Sequence, residues 1–114
     1  MFQAAVQPRS IHNLLFSCYE RGMNYDNHVD NSLMGGTNFQ RADVSFTIFL
    51  NDPANYVGGE LVIEGACDDY RYKLRAGSAL VYPSSSIHRV ETVTEGKRLV
   101  VVGWVQSLVR DPSK

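Results

Sequence analysis

His28, Asp30 and His88 are the residues of this chain whose types and spacing could do chemistry. Side chains of an extended strand alternate between its two faces, so His28 and Asp30 would project from one side while Val29 points away. Two such donors can grip one metal ion, and a histidine from another strand would complete three ligands on one side of it. Two imidazoles and one carboxylate that leave open positions suit ferrous iron in oxygenase chemistry. Arg98 follows His88 by ten residues and shares a strand face with Val100, Val102 and Trp104. A planar guanidinium starting from apolar surroundings is suited to holding a carboxylate by two charge-assisted bonds. With Thr94-Glu95-Gly96 as a three-residue loop, Arg98 would face the same side as His88; a four-residue turn would reverse it.

The elements that must position these residues read as strands. Val44, Phe46, Ile48 and Leu50 alternate with Ser45, Thr47 and Phe49, and Asn51-Asp52-Pro53 ends the run. Glu60 to Glu64, Tyr70 to Leu74, Ser78 to Tyr82 and Ile87 to Val93 are further short strands between turn residues. Leu99 to Val105 is apolar on both faces and belongs in the middle of the fold. Phe16 to Glu20 and Met23 to His28 suggest a hairpin around Arg21-Gly22, and a short helical turn is expected at Arg9 to Asn13, after Pro8. About eight strands of this kind indicate an all-β sandwich or barrel.

At 114 residues the chain has room for one domain, taken as 1–114. A net charge of -1 gives no electrostatic reason to expect nucleic acid or an anionic membrane as partner. No apolar run reaches the roughly 20 residues that span a bilayer, and Met1 to Arg9 lack the pattern of a secretory signal. Cys18 and Cys67 form neither a disulfide framework nor a Cys-x-x-Cys pair, and small buried or half-buried positions are expected for both. A reducing cytoplasm is the expectation, and it would keep iron ferrous.

Blocks of sequence then carry a resemblance. His28-Val29-Asp30-Asn31, Arg41-Ala42-Asp43-Val44-Ser45, Phe49-Leu50-Asn51-Asp52-Pro53, Gly58-Gly59-Glu60-Leu61, Tyr82-Pro83-Ser84-Ser85-Ser86, His88-Arg89-Val90 and Trp104-Val105-Gln106-Ser107 occur in order. Together, over about Phe16 to Arg110, they resemble the PKHD-type hydroxylases, relatives of the prolyl 4-hydroxylases among the Fe(II)- and 2-oxoglutarate-dependent dioxygenases. The resemblance implies a double-stranded β-helix (jelly roll) of two antiparallel sheets with little helix. It implies iron bound by His28, Asp30 and His88, and 2-oxoglutarate held at its distal carboxylate by Arg98 and hydrogen-bonded by Tyr19. O2 would be the second co-substrate and ascorbate a candidate reductant. The expected reaction hydroxylates an unactivated C–H bond, of a prolyl or another amino-acid or peptide substrate, and yields succinate and CO2. Phe49 departs from relatives that carry a second tyrosine there. Family members also have a helical N-terminal segment on the major sheet, and apolar surface left by its absence is expected to favour a homodimer.

Duller roles compete at several positions. Trp104 is expected in the core, Gly58-Gly59 as turn chemistry alone, and the serine run as a plain loop. Tyr19 and Tyr25 stand between core packing and co-substrate contact, and Arg41 and Arg89 are candidates for the mouth of the site. Two other function classes stay open: a non-catalytic metal-binding β-sandwich module, and a cupin-type metal-dependent hydrolase or isomerase that would need no Arg98.

Overall fold

Short β-branched and aromatic runs bounded by turn formers pair into antiparallel ladders. The computed structural model describes residues 8–30 and 44–107. In chain order the strands are β1 (Pro8–Tyr19), β2 (Tyr25–His28), β3 (Val44–Phe49), β4 (Tyr56–Gly58), β5 (Leu61–Glu64), β6 (Asp69–Tyr72), β7 (Ala79–Pro83), β8 (His88–Val90), β9 (Val93–Gly96) and β10 (Arg98–Ser107). One 3-10 turn, Pro53–Asn55, precedes β4. One sheet has the order β1-β10-β3-β7, a second β2-β8-β5-β6, and β4 pairs with β9 in a small third sheet. Consecutive strands thus repeatedly cross from one large sheet to the other, which is the double-stranded β-helix expected from the resemblance.

The apolar strand β10 occupies an interior place between β1 and β3, with Val102 opposite Thr47 and Val100 opposite Phe49. Residues from both sheets meet between them, where Leu61, Tyr82 and Val90 pack with Tyr19, Ile63, Tyr72 and Leu80.

Four expectations change. Arg9 to Asn13 belong to β1 rather than to a helical turn; β1 pairs with β10 from Pro8 opposite Ser107 onward. So short a segment is a poor helix nucleus, and the ladder satisfies its backbone groups instead. Phe16 to Glu20 and Met23 to His28 are not a hairpin, because β1 and β2 lie in different sheets. The turn itself is real: Met23 N donates to Glu20 O at 2.9 Å, and Gly22 takes φ of 89°, a region glycine enters freely. It is hooked to the start of β9 by Gly22 N donating to Val93 O and Val93 N donating to Met23 O.

Thr94 to Gly96 form no loop but most of β9, and β4 and β9 account for strands beyond the eight expected. Finally, the faces of β3 are the reverse of the simple hydrophobic reading. Ser45, Thr47 and Phe49 are the deeply buried set, Phe46 and Ile48 are half-buried, and Leu50 is exposed. Period two fixes the alternation but not which side is lined, and here the interior is a cavity with polar walls.

Candidate metal centre

β2 and β8 pair so that His28 lies opposite His88. Asp30 follows two residues after His28, just beyond the end of β2, and its backbone N donates to Ser84 O at 3.0 Å. The structure brings all three predicted donors together: one ligand atom from each lies within 4.8 Å of the others. Asp30 Oδ1 is 3.5 Å from His28 Nε2 and 3.4 Å from His88 Nε2.

The groups around the donors fix which atoms face inward. His28 Nδ1 donates to Asp26 O at 2.8 Å and His88 Nδ1 to Ser86 O at 3.0 Å. A carbonyl only accepts, so each ring keeps its proton on Nδ1 and turns the Nε2 lone pair toward the shared point. Ser45 Oγ donates to Asp30 Oδ2 at 2.6 Å and lies 2.8 Å from Ser84 Oγ, leaving Oδ1 for the same point. Burial pushes the Asp30 carboxyl up, yet the neighbouring His88 and the hydrogen bond from Ser45 outweigh it and bring it below the usual range. For His88 burial pushes down, and the neighbouring Asp30 carboxylate with the bond to Ser86 raises it on balance. Two imidazole nitrogens and one carboxylate oxygen, each held by a backing bond, fit an iron ion with positions left open.

The donors stand in the wall of a cavity of about 150 Å³ between the two large sheets. Arg98, at the start of β10, lines the same cavity together with Tyr19, Thr47 and Tyr82. It is only 2% exposed, and its Nε has no hydrogen-bond partner. Its carbon Cζ lies 5.0 Å from the centre of the Tyr19 ring and 5.8 Å from that of Phe49. Among the described residues no carboxylate pairs with it. Burial pushes its guanidinium below the usual range, and the phenols of Tyr19, Tyr56 and Tyr82 only partly offset this. A cation so enclosed without a counter-ion is costly unless an anion enters beside it.

Tyr25 stacks on His28, with ring centres 4.0 Å apart, and lines the cavity. Arg89 does not: its Nε donates to Glu91 at 2.8 Å, and Asp69 lies 3.5 Å away, on a charged network that also includes Arg71. Arg41 lies outside the described residues. Cys67 is exposed rather than buried, and Cys18 is half-buried.

Sequence reasoning missed the residues that hold the donors. Trp104 is not core packing alone, because it lines the cavity beside the donors. Ser84 belongs to the Asp30 network instead of a plain loop, and Thr47 pairs with Tyr82 Oη at 3.2 Å. Gly59 is more than turn chemistry: a Cβ there would stand 3.2 Å from Arg98 Cδ. The one available signal was the inward period of Ser45 and Thr47 on a strand opposite the site.

Comparison with known proteins agrees with this geometry. The profile of the 2OG-Fe(II) oxygenase superfamily matches residues 14–106, and the chain belongs to that family. A PKHD-type hydroxylase of Gloeothece citriformis is 67% identical over 114 residues, covering 100% of this chain and 51% of the relative. One from Acaryochloris marina is 66% identical, covering 97% of this chain and 49% of the relative. The chain therefore spans about half the length of these relatives. In fold it resembles a Pseudomonas putida prolyl-4-hydroxylase, with a TM-score of 0.70 at 23% identity over 87% of this chain and 54% of that one. A Trichoplax adhaerens prolyl hydroxylase, solved with a peptide fragment of the hypoxia inducible factor oxygen degradation domain, gives 0.71 at 18% identity over 88% and 46%. Among the described residues no helix is long and apolar enough to cross a membrane.

Proposed function

We propose that this chain carries the catalytic centre of an Fe(II)- and 2-oxoglutarate-dependent hydroxylase. His28, Asp30 and His88 would hold the iron, and Arg98 with Tyr19 the distal carboxylate of 2-oxoglutarate. When bound with O2, these groups supply an oxidant that places oxygen into a C–H bond while 2-oxoglutarate becomes succinate and CO2. The protein's part is to bind, orient and exclude water. His28 and His88 present unprotonated nitrogens because their opposite ring atoms are engaged by Asp26 O and Ser86 O. Ser45 holds the carboxylate of Asp30 in one orientation. Arg98 draws a dicarboxylate into a pocket where its own charge is otherwise unmatched.

The observation that carries this reading is the pairing, in one cavity, of a three-donor cluster with an enclosed guanidinium that lacks an anion among the described residues. A metal-dependent hydrolase or isomerase of the cupin type would have no use for Arg98, and neither would a module that only captures a metal. The kinship with prolyl hydroxylases supports a prolyl, other amino-acid or peptide substrate. The test is incubation with Fe(II), 2-oxoglutarate, ascorbate and a panel of peptides and free amino acids, reading succinate and a mass gain of one oxygen. Succinate formation that Asp30→Ala and His88→Ala abolish is the expected result. Iron bound at the centre with no 2-oxoglutarate consumed under any condition overturns the proposal.

A further inference from the structure

We infer that Tyr56 is a positioning residue for 2-oxoglutarate: its hydroxyl seats Arg98 from the protein side so that the guanidinium fork meets the distal carboxylate. The inference rests on the function proposed above and adds a residue to it. Tyr56 is 3% exposed and lies outside the cavity lining. Its Oη has no hydrogen-bond partner, and neither has Arg98 Nε. The two side chains are nevertheless neighbours, since both border Gly59, and the nearby charge of Arg98 opposes the upward push that burial gives the Tyr56 phenol. An arginine whose two terminal nitrogens grip a carboxylate still has its Nε–H among the donors left to satisfy, and leaving it unmet in a buried site costs free energy.

The other aromatic neighbours do not meet that need. Phe49 has no hydroxyl, and the hydroxyl of Tyr82 is engaged with Thr47. Tyr19 lines the cavity with its ring beside the guanidinium. Among the described residues Tyr56 is the buried phenol whose hydroxyl has no partner, so it supplies what the Phe49 position does not.

The surroundings hold its ring in that place. Gly59, with φ of 72°, leaves room where a Cβ would stand 3.1 Å from Tyr56 Cε2, 3.2 Å from Arg98 Cδ and 3.0 Å from Val93 Cγ2. Lys73 Nζ donates to Tyr56 O at 2.7 Å and sits 4.3 Å from the centre of the same ring. Gly59 and Lys73 thus fix the tyrosine against the stem of Arg98.

The test is calorimetric titration of the chain loaded with Mn(II), which binds without turnover, comparing the native chain with Tyr56→Phe. Two ligands are used: 2-oxoglutarate, and 2-oxobutyrate, which keeps the chelating keto-acid but lacks the distal carboxylate. Tyr56→Phe should weaken 2-oxoglutarate about ten-fold, the size of one hydrogen bond, and leave Mn(II) and 2-oxobutyrate affinities unchanged. Gly59→Ala, which displaces ring and stem without deleting the hydroxyl, should give the same selective loss. Unchanged 2-oxoglutarate affinity, or equal weakening of both ligands, overturns the inference and leaves the proposed function standing. A native Mn(II)-loaded chain that does not bind 2-oxoglutarate at all overturns both.

Discussion

Replacing Arg98 by methionine should make the ligand-free protein more stable and blind to 2-oxoglutarate. Arg98 is enclosed, its Nε is unbonded, and among the described residues no carboxylate balances its charge. Exchanging buried charge for an apolar side chain of similar volume is commonly neutral or stabilising by about 1–4 kcal/mol. Against this stand two ring contacts, with Tyr19 at 5.0 Å and Phe49 at 5.8 Å, each worth about 0.5–1 kcal/mol. The middle of the difference is a gain of about 1 kcal/mol, or roughly 4 °C in Tm for a chain of this size. Differential scanning calorimetry on the Mn(II)-loaded protein, with and without 2-oxoglutarate, reads both effects. The native chain should melt higher when the ligand is present, by mass action on the folded state. Arg98→Met should start higher and not move. A variant that melts below the native chain without ligand would show that the guanidinium supports the fold, and the reasoning from an unmatched charge would fail.

Two further outcomes follow from the same geometry. Ser45→Ala removes the 2.6 Å bond to Asp30 Oδ2 and strands Ser84 Oγ; Mn(II) affinity by titration should fall about 10–100-fold, and undiminished affinity would contradict the role given to Ser45. Burial lifts the Tyr82 phenol to about 12 from 10.0. Its folded value lies above its unfolded one, so the stabilising contribution is whole below pH 10 and disappears as pH rises through about 12, by about 3 kcal/mol at most. Denaturant unfolding between pH 10 and 12 should therefore lose its slope by one proton in Tyr82→Phe; an unchanged slope would place that titration elsewhere.

How much of this was legible in the sequence differs from residue to residue. His28, Asp30 and His88 could be read because few residue types bind iron, and a spacing of two in extended chain puts a pair on one side. β10 could be read because Leu99 to Val105 is apolar on both faces, as an interior strand must be. The Arg21-Gly22 turn was equally plain, but a turn fixes only a reversal of direction. Whether β1 and β2 then pair depends on distant strands, and each finds its partner later in the chain, in β10 and β8. The inward face of β3 escaped for a related reason. Ser45 and Thr47 look like a solvent side until the opposing wall is known to be a polar cavity. Tyr56 and Gly59 carried no signal, because their value lies in contact with Arg98, about 40 residues away in sequence.

Anaerobic titration of the chain with Fe(II), followed by 2-oxoglutarate, tests the central claim most directly. One ion per chain should bind, and 2-oxoglutarate should then raise a visible charge-transfer absorption that is absent in His88→Ala and Asp30→Ala. Iron that binds as tightly to those two variants as to the native chain would mean that the three donors do not share one ion.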